Sequence, residues 1–167
     1  MSNNGKKWIS IDPAKGLSGV AWWIGDKLER TFIVKKRGNK GAYYFGDEIC
    51  DSMSDAWGYT VSWAGNSTAI VEKGAGGLSN VVNAQGWMRG YLERSCELVG
   101  ANTVVLGVSE WRRVIREAHD VSWPSGRDAK KRLSVQLVRS IYGIDVSDDE
   151  SDAVLLGAAA LRMGYLN

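Results

Sequence analysis

With 167 residues, 44% hydrophobic and 24% charged content, the chain has the size and balance of one globular domain with a substantial core. A formal net charge of only +2 excludes polyanion binding through overall charge and leaves that task to local clusters. A single histidine, His119, and two widely separated cysteines, Cys50 and Cys96, argue against serine–histidine catalysis, a cysteine zinc site and a disulfide framework.

Residues 8–12 read as a first strand, followed by a loop that begins at Pro13. Residues 20–24 form the predicted second strand, Gly25-Asp26 a two-residue hairpin turn and residues 31–34 the third strand. The chain therefore opens with an antiparallel meander. Tyr44, Ile49, Met53 and Trp57 share a face at helical spacing, which predicts a helix over 42–58. Residues 68–72 form a short apolar fourth strand that runs into the glycine-rich loop 73–77. A long helix is predicted over 81–99, ended by Gly100, and a fifth strand over 103–108. Residues 109–117 read as a short helix carrying Arg112, Arg113 and Arg116. Ser125, with Asp128 three residues on, is the expected cap of the next helix, where Ala129, Leu133, Leu137 and Ile141 make one buried stripe. The last helix opens at 148–152 and is apolar on nearly all sides as far as Leu161, so it must pack against an extensive surface. These elements predict an α/β fold in a single domain spanning 1–167. Its mixed five-stranded sheet has antiparallel strands 1–3, then parallel strands 4 and 5, flanked by helices. No apolar run has the length of a membrane span and residues 1–7 show no signal-peptide pattern, so the expected location is the cytoplasm.

The chemistry of the chain is carried by acids. Asp12 ends the first strand, Glu72 ends the fourth, and Asp149 and Asp152 open the last helix. Burying a lone carboxylate costs several kcal/mol or more unless something compensates it. Asp12 has a structural explanation in its Asp-Pro turn, and Asp149 with Asp152 in capping and the helix dipole. Glu72, between an Ala-Ile-Val run and a glycine loop, has no such local explanation. As parallel neighbours, strands 1 and 4 would bring their acidic C-terminal ends to the edge where open α/β sheets bind ligands. Converging carboxylates are the usual ligands of Mg²⁺, and four suit two ions about 3.5–4 Å apart, a pair that hydrolyses phosphodiesters without a histidine base.

Ile9-Ser10-Ile11-Asp12-Pro13 with Gly19-Val20-Ala21, Ala69-Ile70-Val71-Glu72, and Asp149-Glu150-Ser151-Asp152-Ala153 occur in this order over nearly the whole chain. The set resembles the acidic motifs of RuvC-type Holliday-junction resolvases. The stretch Ser109-Glu110-Trp111-Arg112 looks most like their phage-encoded branch. The resemblance implies an RNase H-like fold, a homodimer, and paired symmetric nicks across four-way DNA junctions. It also implies that Asp12, Glu72, Asp149 and Asp152 are catalytic and hold two Mg²⁺ ions, with Mn²⁺ as substitute. Lys131, on the helix before the last, takes the place of a functional lysine of that family. Glu150 is a rival to Asp149, which is preferred for its spacing to Asp152. Cellular resolvases carry an aromatic shortly after the second acid. Here Lys73-Gly74-Ala75-Gly76-Gly77 has none, which leaves room for activity on other branched DNA.

DNA contacts are expected from Lys73, Arg112 and Arg113, and from Arg127, Lys130, Lys131 and Arg132 on the polar side of one helix. Trp123, in a loop beside proline, is either a base-stacking residue or part of the core. The helix 81–99, with Val82, Met88, Leu92 and Cys96 among its apolar positions, is the candidate dimer surface. Three other functions fit less well. They are an RNase H-like nuclease acting on flaps, forks or RNA–DNA hybrids, an actin-like nucleotide-binding protein, and an inactive DNA-binding module.

Overall fold

The computed structural model describes residues 5–14, 17–35, 67–73 and 101–166, together with residues 86, 90, 93, 94, 96 and 97. The meander comprises β1 (Lys7–Asp12), β2 (Leu17–Ile24) and β3 (Lys27–Lys35). It turns between β2 and β3 at Gly25-Asp26, where Gly25 takes φ +60°, a conformation that glycine adopts without steric cost. β4 (Thr68–Lys73) and β5 (Asn102–Gly107) follow. The sheet order is β3-β2-β1-β4-β5, with β1 antiparallel to β2 and parallel to β4, and β4 parallel to β5. This is the mixed sheet expected from the sequence. The second and third strands run longer than their apolar cores, because ladder pairing carries polar residues such as Lys27, Glu29 and Lys35 into β3.

Among the described residues, α1 (Val108–His119), α2 (Arg127–Tyr142) and α3 (Asp148–Arg162) stand behind the sheet. The expected Ser125 cap is not formed. α2 is entered through Gly126 at φ +89°, with no side-chain cap, so Ser125 sits one residue too early. Ser147 caps α3 instead. Its Oγ accepts from the Glu150 N–H, while the Glu150 carboxylate accepts from the Ser147 N–H at 3.0 Å. Asp149 is therefore not the helix cap, although it lies in the first turn, where the helix dipole favours an acid.

Strand alternation divides the core between two faces. Trp8, Ala21, Trp23, Ile70 and Leu106 face the helices, whereas Ile9, Ile11, Val20, Ala69 and Val71 face the other way. Trp8 and Trp23 stack with centroids 4.8 Å apart, and α3 lies on them through a run of buried residues that includes Ala153 to Ala160. Ser10 ties sheet to helix. Its hydroxyl donates to the Ala153 carbonyl at 2.7 Å and accepts from Trp23 Nε1 at 2.9 Å. Gly157 makes the approach possible, since a Cβ there would fall 2.6 Å from Ser10 Oγ and 2.7 Å from the Trp23 ring.

The helix expected over 42–58 lies outside the described residues. Of the helix expected over 81–99, the described residues 86, 90, 93, 94, 96 and 97 are helical. Cys96 is fully buried against Ile9, Ile11 and Val71, so its side chain belongs to the core on the second sheet face and not to an exposed dimer surface. Val82, Met88 and Leu92 lie outside the described residues. No helix among the described residues is long and apolar enough to cross a membrane.

Candidate active site

β1 and β4 run parallel in the register Trp8↔Thr68 through Ile11↔Val71, and each continues by one residue into an acid. Asp12 follows Trp8 and Ser10 on the helix-bearing face, and Glu72 follows Ile70 on the same face. The two carboxylates therefore emerge side by side. The first turn of α3 arrives at the same edge because Asp12 pairs across the meander with Gly19. A Cβ on Gly19 would collide with the Asp149 carbonyl, so only glycine lets the helix come this close.

Electrostatics register the convergence. Burial, and then the charges of Glu72, Asp152 and Asp149, hold the Asp12 carboxyl well above the usual carboxylate range, against the opposing charge of Lys131. Burial pushes Glu72 up to about 7; a hydrogen bond from Trp111 and the charge of Arg112 work against it, and Asp152 works with it. Asp152 is also raised, by burial first, although a Ser134 hydrogen bond, Arg112 and Lys131 all favour its charge. Burial is the first cause of each shift, and the like charges of neighbouring acids add to it. Carboxylates that share a repulsive site form a hard, all-oxygen donor set, which suits Mg²⁺ or Mn²⁺ and not a thiolate-loving metal.

Each acid save Asp12 is seated by a neighbouring helix. Trp111 Nε1 donates to Glu72 Oε2 at 2.8 Å. Ser134 Oγ donates to Asp152 Oδ1 at 2.6 Å, and Arg112 reaches Asp152 Oδ2 at 3.7 Å. Lys131 Nζ lies 3.5 Å from Asp149 Oδ1 and 3.2 Å from Asp148 Oδ2. Burial disfavours the Lys131 charge, but Asp148 and Asp149 outweigh it and keep the ammonium form. Among the described residues, no three His, Cys, Asp or Glu side chains are arranged as a cage for an ion. The acids' all-carboxylate donor chemistry fits a divalent cation.

The helix cap bears on the rivalry for the third acidic position. Glu150 is engaged by Ser147 and by Thr31 Oγ1, which donates to it at 2.8 Å. Burial would raise its pKa, yet these hydrogen bonds bring it below the ordinary value. Glu150 is thus a capping residue, whereas the charge of Asp149 acts on Asp12.

The expected DNA-binding residues divide. Lys73, Arg113, Arg127 and Arg132 are exposed and Lys130 is half-buried. Arg112 is turned inward. Its guanidinium sits 5.0 Å from the Trp111 ring and 5.1 Å from the Trp123 ring, beside Asp152. Trp123 also packs against the core and donates from Nε1 to the Arg112 carbonyl at 2.9 Å. Sequence reasoning missed Trp111 and Ser134 as partners of the acids. Ser134 had a signal in its helical spacing of three from Lys131, whereas Trp111 had none.

Solved structures of RuvC share this architecture. Thermus thermophilus RuvC in complex with a Holliday junction substrate covers 95% of this chain over 96% of its own, with a TM-score of 0.66 and 16% identity. A second Thermus thermophilus RuvC structure gives the same coverage, a TM-score of 0.64 and 17% identity. The chain has a RuvC-like fold. No family model matches it, and no curated protein matches it in sequence. In this RuvC-like frame the central strand β1 and its parallel neighbour β4 carry the first acids. α3, packed across the sheet, carries the last. The likenesses do not bear on the phage-encoded branch.

Proposed function

We propose that the chain is a divalent-metal-dependent, structure-selective DNA endonuclease that resolves four-way junctions by paired nicks. The observation that carries this reading is the gathering of Asp12, Glu72, Asp149 and Asp152 at one end of the sheet, where burial first, and then the charges of the other three, raise Asp12. A site that served only to bind DNA would gain nothing from acids beside phosphate. The RuvC-like fold supports the choice of substrate, because one of the matched RuvC structures carries a Holliday junction.

In this reading Asp12, Glu72, Asp149 and Asp152 hold the cations, with Mg²⁺ expected at two positions and Mn²⁺ as substitute. When bound, Mg²⁺ supplies positive charge to the scissile phosphate and acidifies the attacking water. The remaining work falls to the chain itself. Trp111 and Ser134 fix one oxygen each of Glu72 and Asp152. Lys131, ammonium at the rim beside Asp149, offers a donor to a phosphate oxygen of the cleaved strand. Lys73, Arg113, Arg127, Lys130 and Arg132 neutralise flanking phosphates and position the arms. A homodimer of the chain would bring two such sites to opposite strands, which paired symmetric nicks require.

The test is cleavage of a synthetic four-way junction in Mg²⁺, with Y-fork, linear duplex and linear RNA–DNA hybrid as controls. Paired nicks in the junction, absent in EDTA, are expected. Equal cutting of the linear hybrid would sink the junction assignment, and no cutting of any substrate in Mg²⁺ or Mn²⁺ would sink the nuclease.

A further inference from the structure

α1 reaches the site through two consecutive residues whose side chains serve different acids. Trp111 is fully buried, and its indole N–H donates to Glu72 Oε2 at 2.8 Å. Arg112 extends to Asp152 Oδ2 at 3.7 Å, with both side chains largely buried, 22% and 13% exposed. A buried indole N–H needs an acceptor, and a buried guanidinium needs an anion. Here both needs are met by carboxylates of the candidate metal site.

The pair is also held in place. The Arg112 guanidinium lies against both tryptophan rings, at 5.0 and 5.1 Å, and these rings meet edge to face at 5.7 Å. Trp123 Nε1 closes the arrangement by donating to the Arg112 carbonyl at 2.9 Å. Arg112 Nε is buried without a hydrogen-bond partner among the described residues, so Arg112 is held by cation–π contacts and by Asp152. Stacking on aromatic faces suits a planar, weakly hydrated guanidinium and would not suit lysine.

We infer that Trp111 is a positioning residue for the Glu72 carboxylate, locked by the Trp111–Arg112–Trp123 cluster, and that it sets the affinity of the site for its divalent cation. An indole N–H binds one carboxylate oxygen and, unlike a charged donor, brings no positive charge that would compete with a cation. It fixes Oε2 and leaves Oε1 to turn to the ion. The inference rests on the metal-site reading proposed above and adds what tunes that site.

The test uses the ¹⁵N-labelled full-length protein, without DNA, titrated with Mg²⁺. The Trp111 indole N–H resonance is identified as the one displaced in Glu72→Gln. It is expected to move on titration with the same midpoint that calorimetry gives for Mg²⁺ binding. The Trp8 indole, which donates to the Gly25 carbonyl at the opposite end of β1, is expected to stay put and serves as reference. In Trp111→Phe, the Mg²⁺ dissociation constant is expected to rise about tenfold, the loss of one charge-assisted hydrogen bond. Mg²⁺ binding with a stationary Trp111 resonance would overturn the inference and leave the metal site standing, even if Trp111→Phe fails to fold. Unchanged Mg²⁺ affinity in a folded Trp111→Phe would overturn it as well. Absence of Mg²⁺ binding by the unsubstituted protein would overturn the metal site and the inference together.

Discussion

Glu72 holds its proton more tightly when folded, at about 7 against an ordinary value of 4.5. The folded state therefore binds more protons than the unfolded chain between those values, and stability falls as pH rises through that window. The difference corresponds to a penalty on the order of 3 kcal/mol at pH 8. Asp12 and Asp152, also raised, act in the same direction. In EDTA, Glu72→Gln should therefore be more stable than the unsubstituted protein at pH 8, by about 1–3 kcal/mol in urea denaturation, with the gain vanishing near pH 4.5. The same substitution should abolish cleavage while junction binding persists. A loss of stability at pH 8 would mean that Glu72 has a structural role. Lys131→Ala should lower the cleavage rate at least tenfold relative to Lys27→Ala, whose target is exposed and paired with Glu29 on β3; equal rates would remove Lys131 from the site. Among single residues, the sequence displayed the acids because an acid that ends an apolar strand has little structural reason to be there. It did not display Trp111, whose partner is 39 positions away and is reached only after β4 and α1 have packed. Nor did it show that Glu150 is engaged by the Ser147 cap, which forms only once α3 has its start.

At the level of elements, the site exists because α3 lies directly on the meander. Gly19 and Gly157 are the two points of closest approach, one beside Asp149 and the other over Ser10 and Trp23. A methyl at Gly19 would push the acidic first turn of α3 away from Asp12, whereas a methyl at Gly157 would disturb the core farther along the helix. Both Gly19→Ala and Gly157→Ala should destabilise the fold by about 1–3 kcal/mol, the usual range for overpacking. At conditions where both remain folded, Gly19→Ala should weaken Mg²⁺ binding, measured by calorimetry, at least tenfold more than Gly157→Ala. Similar Mg²⁺ affinities would break the link between helix seating and the site. The elements themselves were largely legible. Short, largely apolar runs marked β1 and β2, and the apolar girth of α3 announced a buried helix. β3 was read too short because its outer residues are polar and are held by ladder pairing, and the start of α2 was misplaced because Gly126 takes a backbone conformation that no spacing rule reveals.

For the whole molecule, sheet order could be inferred because a meander followed by strand–helix units leaves few topologies, and the RuvC-like fold agrees with that order. How DNA lies on the surface was less legible. Charge runs look alike in sequence, yet Arg112 faces inward to Asp152 while Arg113, next to it, is exposed. With Arg127 and Arg132 exposed on α2, the double substitution Arg127→Ala, Arg132→Ala should weaken junction binding and flatten its dependence on log salt by about two phosphate contacts. An unchanged slope would place the DNA elsewhere. The most direct measurement is anomalous diffraction from crystals of the protein soaked in Mn²⁺. Strong peaks are expected within coordination distance of Asp12, Glu72, Asp149 and Asp152, and these acids should rotate toward them. Clear density for all four side chains, with no manganese peak among them, would contradict the reading of this sheet edge as a metal-dependent nuclease centre.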